Sequence, residues 1–230
     1  MRKMPWSKIA PIFILFCLPS MGITAETSEQ PSIMVLLKSP SVVPAQESMK
    51  LIDATYEVFK ISGVLKPIPV DPKITFWPNL HAATRYSEDK KANYMVYMDI
   101  AKRKKTISYY AILIDPNTNR IMGKYTDKWS DQPATTENAM LKFASKIIYR
   151  SSGKIRVIMS IESTPTFCDV YRDQYRLGNT GTNGFRRTLF WEKGYYNIKV
   201  CKANCKDFLD KLKVEKNPTN YIKKVKLKHR

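Results

Sequence analysis

The apolar positions of this chain keep two different rhythms, and the change falls near residue 153. Before it, short apolar runs alternate with stretches of helical spacing. Ile33-Met34-Val35-Leu36-Leu37, closed by Lys38-Ser39-Pro40, has the pattern of a buried strand. A helix is predicted from Val43-Pro44-Ala45 to Lys60, because Met49, Ile52, Tyr56 and Phe59 recur at spacings of three and four and Gly63 stands just past the end. Val64 to Val70 carries Pro67 and Pro69, which have no N–H to give a ladder, so as a strand it belongs at a sheet edge. Residues 71–90 read as a weaker helix or loop. Asn93–Ile100, Thr106–Ile114 and Arg120–Trp129 form a predicted meander, whose second turn is Asp115-Pro116-Asn117-Thr118-Asn119. Its first turn, Lys102-Arg103-Lys104-Lys105, reads as a solvated hairpin tip. Thr135 to Tyr149 closes the zone as a helix with Met140, Phe143, Ile147 and Ile148 on one side, followed by a hinge at Ser151-Ser152-Gly153.

After residue 153 the period falls to two. Ile155–Ile161, Asp169–Arg172, Tyr175–Leu177, Arg187–Trp191, Tyr195–Lys202, Phe208–Glu215 and Tyr221–Lys228 are short strands at the spacing of a small β-sandwich. The expected fold class is α+β: an N-terminal αβ sandwich with a mixed sheet and two or three helices, then a small all-β sandwich. The expected division is residues 1–25, 26–153 and 154–230.

Residues 1–25 read as an address. Arg2, Lys3 and Lys8 precede the apolar run Ile9–Leu18, and a break leads to Ala25 before the polar Glu26-Thr27-Ser28-Glu29-Gln30. This is the three-part pattern of a secretory signal, with cleavage expected after Ala25. Cys17 does not suit lipidation, since Phe16 stands where a small residue is needed. No other apolar run nears the ~20 residues of a membrane span. Removing residues 1–25 lowers the net charge from +19 to +16. Of that, residues 154–230 carry +11 and residues 26–153 carry +5. Such charge favours anionic neighbours. Export places envelope components and acidic proteins ahead of nucleic acid among them.

The run Ser163-Thr164-Pro165-Thr166-Phe167-Cys168-Asp169-Val170-Tyr171-Arg172-Asp173-Gln174-Tyr175-Arg176-Leu177-Gly178-Asn179-Thr180 resembles the opening of a PEGA domain. That family shows a strand ending in Ser-x-Pro, an x-Val-Tyr strand, a two-residue turn and a strand ending in Gly-x-Thr. Lys193-Gly194-Tyr195-Tyr196-Asn197-Ile198-Lys199-Val200 is similar to its Pro-Gly-Tyr-x-Val-x-Val strand, and Tyr221–Leu227 to its last strand. The resemblance implies a PEGA-like sandwich over residues 154–230, acting as an extracytoplasmic binding or spacer module without shared catalytic residues. It also places the protein in a periplasm ahead of full secretion. The order of elements in residues 31–150 is similar to the small domain at the amino end of TolB and related envelope assembly proteins.

Candidate chemistry is sparse. His81 and His229 are the only histidines, no G-x-S-x-G elbow exists, and the carboxylates are scattered, so no catalytic residue is assigned. Gly178-Asn179-Thr180-Gly181-Thr182-Asn183-Gly184 precedes strand-like sequence rather than a helix and reads as a loop between strands, not a phosphate cradle. Alternation turns Cys201 outward from Ile198 and Val200, while Cys168 shares the inward parity of Val170. A Cys168–Cys201 bridge would join opposite faces. Cys201–Cys205 is therefore the expected disulfide, with free thiols or a Cys₃His metal set including Cys168 and His229 as alternatives.

The candidate binding residues interleave bases and rings: Arg172, Arg176, Arg186, Arg187, Tyr175 and Trp191. Arg186 and Arg187 are consecutive on a strand, so alternation lets one of them join the face of Arg172 and Arg176. The expected function is a non-enzymatic, exported envelope protein that binds or scaffolds an anionic envelope polymer or an acidic envelope protein, with no cofactor. A hydrolase of envelope polymers and a secreted binder of nucleic acid or host surfaces are the rival readings.

Overall fold

The computed structural model describes residues 29–38, 43, 45–70 and 76–230. The expected signal, its cleavage after Ala25, Cys17 and residues 71–75 lie outside the described residues. The first unit runs β1 (Ser32–Lys38), α1 (Ala45–Ser62), β2 (Lys66–Pro67), β3 (Phe76–Trp77), α2 (Leu80–Asp89), β4 (Tyr94–Arg103), β5 (Thr106–Asp115), β6 (Arg120–Ser130) and α3 (Pro133–Ser152). Its sheet has the order β2-β1-β4-β5-β6, with β3 also paired to β1. β1 lies parallel to β2, β3 and β4, while β4, β5 and β6 form the antiparallel meander.

Strand β1 shows why its sequence is an unbroken apolar run. Ile33, Val35 and Leu37 pack with α1 and α3 on one face of the sheet, and Met34 and Leu36 pack with Ala83 of α2 on the other. A strand covered on both faces needs apolar residues at both parities. Within the segment read as a weaker helix or loop, α2 forms over Leu80–Asp89, where the Asn79 side chain accepts from the Ala82 N–H at 2.9 Å. Gly153 is the left-handed cap of α3 (φ 72°), its N–H donating to Tyr149 O at 2.8 Å. At the meander's second turn the Asp115 carboxylate accepts from the Asn117 N–H (3.0 Å) and the Thr118 N–H (3.3 Å), as its composition predicts. The first turn departs from expectation at one residue. Lys102 is half-buried and paired: its Nζ joins Glu47 of α1 at 2.9 Å and Asp131 at 2.6 Å, and these bonds, chiefly that to Asp131, push its pKa up.

The second unit is β7 (Ile155–Thr164), β8 (Asp169–Arg172), β9 (Tyr175–Asn179), β10 (Phe185–Trp191), β11 (Gly194–Cys201), β12 (Phe208–Val214) and β13 (Thr219–Lys226). They form two sheets, β10-β7-β13 and β12-β11-β8-β9. One apolar core joins them, built from Ile155, Val157, Met159 and Ile161 of β7 against Val170, Ile198, Val200, Leu212 and Val214. Alternating parity in β7 and β11 accounts for this directly. The fold is α+β with a β-sandwich, as expected. Phe190 of β10 also packs on the helical core of the first unit, and α3 runs into β7 through Gly153 and Lys154.

Tyr56 ties α1 to the sheet. Its hydroxyl accepts from the Val35 N–H at 3.0 Å and donates to Ile68 O at 2.9 Å, inside the core. Burial pushes its pKa up to about 12, with the Val35 bond opposing part of that rise. Below pH ~10 the phenol is neutral in both states. Above it the unfolded chain loses the proton first, so the unfolded state binds fewer protons and stability falls as pH rises from about 10 to about 12. Replacing Tyr56 with Phe strands a buried N–H and C=O. Y56F is expected to lose about 1–3 kcal/mol at pH 7 and to show a shallower decline above pH ~10. Urea unfolding at a series of pH values checks both, and an unchanged stability with an unchanged alkaline limb contradicts them.

Candidate functional site

Strand β9 ends one sheet's edge and β10 forms an edge of the other, so the chain between them must cross from sheet to sheet. The crossing is pinned rather than loose. Thr180 is fully buried; its N–H donates to Cys168 O at 2.9 Å, and its hydroxyl accepts from the Cys168 N–H at 3.0 Å. The same hydroxyl shares a 2.7 Å hydrogen bond with Ser163 Oγ at the end of β7. Gly184, just before β10, has φ 77°, and a Cβ there would stand 2.9 Å from Ile161 O. Only glycine allows that approach at that dihedral.

Two depressions flank this crossing and share Arg186 and Gly184. One, of about 380 Å³, is lined by Arg176, Asn179, Arg186 and Arg187 beside Gly178 and Phe185. The other, an open groove of about 660 Å³, is lined by Glu162, Thr164, Thr166, Thr182, Asn183, Arg186, Lys224 and Lys226 among others. Five cations therefore surround the crossing. Arg176 donates through Nε (3.0 Å) and Nη2 (2.7 Å) to one oxygen of Asp169. Arg186 and Lys224 share Glu162 at 3.9 and 3.5 Å, distances too long for tight pairing. Arg187 and Lys226 have no ion-pair partner among the described residues. Two carboxylates face five cations, so the rim carries net positive charge. Its cations are held on strands, with hydroxyl and amide groups between them. Such a surface can accept spaced anionic groups with forked and single donors.

The sequence-predicted residues divide. Arg176, Arg186 and Arg187 meet at the smaller depression. Alternation admits only one of Arg186 and Arg187 to a sheet face, yet both line the depression, because it lies at the free edge of β10 and is reached from either face. Trp191 does not lie on the expected surface, and Arg172 sits half-buried beside it. Trp191 is 4% exposed in the sandwich core. The Arg172 guanidinium lies over three rings, at 5.1 Å from Trp191, 5.5 Å from Tyr175 and 5.6 Å from Tyr196, and its Nε is buried without a partner. The ring faces hold the guanidinium in place and leave it charged. Tyr175 is 58% exposed and forms the outer side of that stack. Glu162, Thr182, Lys224 and Lys226 escape the sequence reading, because β13 joins the site only by pairing parallel to β7, with Lys224 opposite Glu162 and Lys226 opposite Thr164.

The three cysteines of the sandwich are unbridged, with Cys168 and Cys205 buried and Cys201 half-buried. Among the described residues no three His, Cys, Asp or Glu side chains gather as a metal site, so the Cys₃His alternative is not assembled. His81 is exposed on α2. No described helix is long and apolar enough to cross a membrane.

No family model matches the chain, and no curated protein matches it. Among solved structures it is similar to TolB from Acinetobacter baumannii, at 8% identity and a TM-score of 0.44, over 81% of this chain and 59% of that one. The chain thus spans less than two thirds of the TolB structure's length. It is also similar to the LpoB C-terminal domain from Salmonella enterica, at 11% identity and a TM-score of 0.35, over 44% of this chain and 83% of that one. Lipoprotein GNA1162 from Neisseria meningitidis matches at 15% identity and a TM-score of 0.34, over 53% of this chain and 96% of that one.

Arg172 and Arg187 give opposite expectations for stability. Removing a guanidinium stacked on three rings should cost about 1–2 kcal/mol, whereas an exposed arginine at a rim should fall within about 0.5 kcal/mol of neutral. Urea unfolding of R172A and R187A separates the two roles. Equal, small effects would show that the ring stack contributes nothing.

Proposed function

We propose that this protein is an exported, non-enzymatic binding or scaffolding component of a cell envelope, whose basic β-sandwich engages an anionic partner at the rim around residues 178–184. In this reading residues 1–25 are a cleaved signal, residues 26–153 an αβ domain, and residues 154–230 a PEGA-like sandwich. The periplasm is the compartment. The partner is an acidic envelope protein or an anionic envelope polymer.

One observation carries the reading: Arg176, Arg186, Arg187, Lys224 and Lys226 crowd one crossing whose ion-pair partners among the described residues are Asp169 and Glu162. At physiological ionic strength the Debye length is about 8 Å, so scattered charge is screened and a focused cluster is what steers a partner. The mature charge of +16, most of it in this half, adds a long-range field of the same sign. The PEGA resemblance of residues 163–180 covers the strands that hold Arg172 and Arg176, and it suits a module that binds without catalysis.

The test compares two double charge reversals of equal size. R186E/R187E changes the rim, and K142E/K146E changes the exposed face of α3. Binding is read against fluorescent poly-glutamate and against phosphatidylglycerol vesicles, at low and physiological salt. The rim variant should bind at least one probe about tenfold more weakly and with a shallower salt slope, while the α3 variant stays near wild type. Equal losses in the two variants would reduce the rim to ordinary solvated surface.

A further inference from the structure

The cysteines of the sandwich occupy positions that spacing alone does not reveal. Val200 points into the core and Cys201 away from it, half-buried on the outer face of β11. The chain then turns, with the Cys205 N–H donating to Lys202 O at 3.1 Å, and Cys205 enters the core at 1% exposure. Cys201 and Cys205 are close in sequence but lie on opposite sides of the sheet. Cys168, at 0% exposure, belongs to the same buried cluster as Cys205.

The backbone brings these two buried residues to one corner. Cys201 and Asp169 are the last pair of the β11–β8 ladder, so Lys202 and Cys168 are the residues that leave that end of the two strands. Lys202 also holds Cys205 through its carbonyl, and its Nζ donates to Thr166 O at 2.7 Å. The carboxy-terminal segment closes the corner from the other side. Cys205 bridges His229, the Lys206 N–H donates to Lys228 O at 2.8 Å, and the Leu227 N–H donates to Thr164 O at 2.8 Å. The Cys168 thiol donates to Pro165 O at 3.0 Å within this same corner.

We propose that Cys168 and Cys205 form the structural disulfide of the β-sandwich and that Cys201 remains a free thiol. The oxidant is a disulfide-bearing thiol oxidant, either a small-molecule disulfide or an oxidised protein dithiol. One cysteine thiolate attacks a sulfur of that disulfide, breaking its S–S bond and forming a mixed disulfide. The second cysteine then displaces the oxidant's sulfur and forms the Cys168–Cys205 bond. Two electrons pass to the oxidant, and the two protons lost by the cysteines end on its two thiols. Both sulfurs are sealed once the core closes, so the exchange belongs to folding rather than to the finished protein.

The bond would act directly beneath the rim. Cys168 is the residue whose backbone holds Thr180, and Thr164 and Thr166 wall the larger groove. A Cys168–Cys205 bridge fixes that wall to residues 202–206. The inference does not rest on the rim binding anything.

The full chain is reduced and unfolded, then refolded in a glutathione redox buffer. The folded monomer is alkylated in denaturant and mapped by peptide mass spectrometry without reduction. The expected result is a linked Cys168–Cys205 peptide with Cys201 alkylated, the same link in C201A, and no link in C205A. Adding reductant should lower the thermal midpoint of the wild type and C201A by roughly 5–10 °C, and should leave C205A unmoved. A bridge containing Cys201 in the folded wild type, or three alkylated cysteines, overturns the proposal.

Discussion

Thr180 is the point on which the β-sandwich and its basic rim both depend. A chain that leaves the edge of one sheet and joins the edge of another must carry its backbone polar groups across a gap. A buried N–H or C=O left unpaired there would cost free energy comparable to a lost hydrogen bond. Thr180 meets that constraint with both its backbone and its hydroxyl, closing two bonds on Cys168 and one on Ser163. The crossing thereby becomes a fixed ridge, and the cations of β9, β10 and β13 gather on either side of it.

The charge on this ridge is deliberate in arrangement and modest in pairing. Three cations elsewhere in the sandwich are matched closely: Lys199 with Asp207 at 3.0 Å, Lys213 with Glu215 at 2.7 Å, Lys223 with Asp210 at 2.8 Å. The Asp210 carboxyl is held below its usual range chiefly by the Lys223 bond. At the ridge Glu162 is shared at long range and two cations have no partner among the described residues. Exposed pairs contribute little stability in either case. What marks the ridge is that its cations are clustered, so a partner would meet their summed field.

Much of the fold is legible in the sequence because burial imposes its period on the residues. The spacing of Met49, Ile52, Tyr56 and Phe59 marks α1, the two-sided apolar run marks β1, and alternation marks β7 and β11. Helix α2 is less visible, since it buries Ala83, Thr84 and Ser87 rather than large apolar residues; its Asn79 cap was the available signal. The site is only half legible. Arg176, Arg186 and Arg187 are near one another in sequence, and the hairpin and crossing keep them near in space. Lys224 and Lys226 arrive through the parallel pairing of β13 with β7, which no local pattern encodes. The fate of Arg172 depends on Trp191 and Tyr196, rings contributed by other strands. The inward turn of Cys205 follows three residues outside any strand, where period-2 reasoning has no purchase.

If the ridge is the binding surface, anionic groups settle there and not on the other cations of the chain. Amide chemical-shift mapping of the chain during titration with poly-glutamate at physiological salt tests it most directly. Shifts concentrated at residues 162–166, 176–187 and 224–226 are expected, with residues 32–152 nearly silent. Shifts spread evenly over the lysines of both units, or centred on the outer face of β11 and β12, would contradict it.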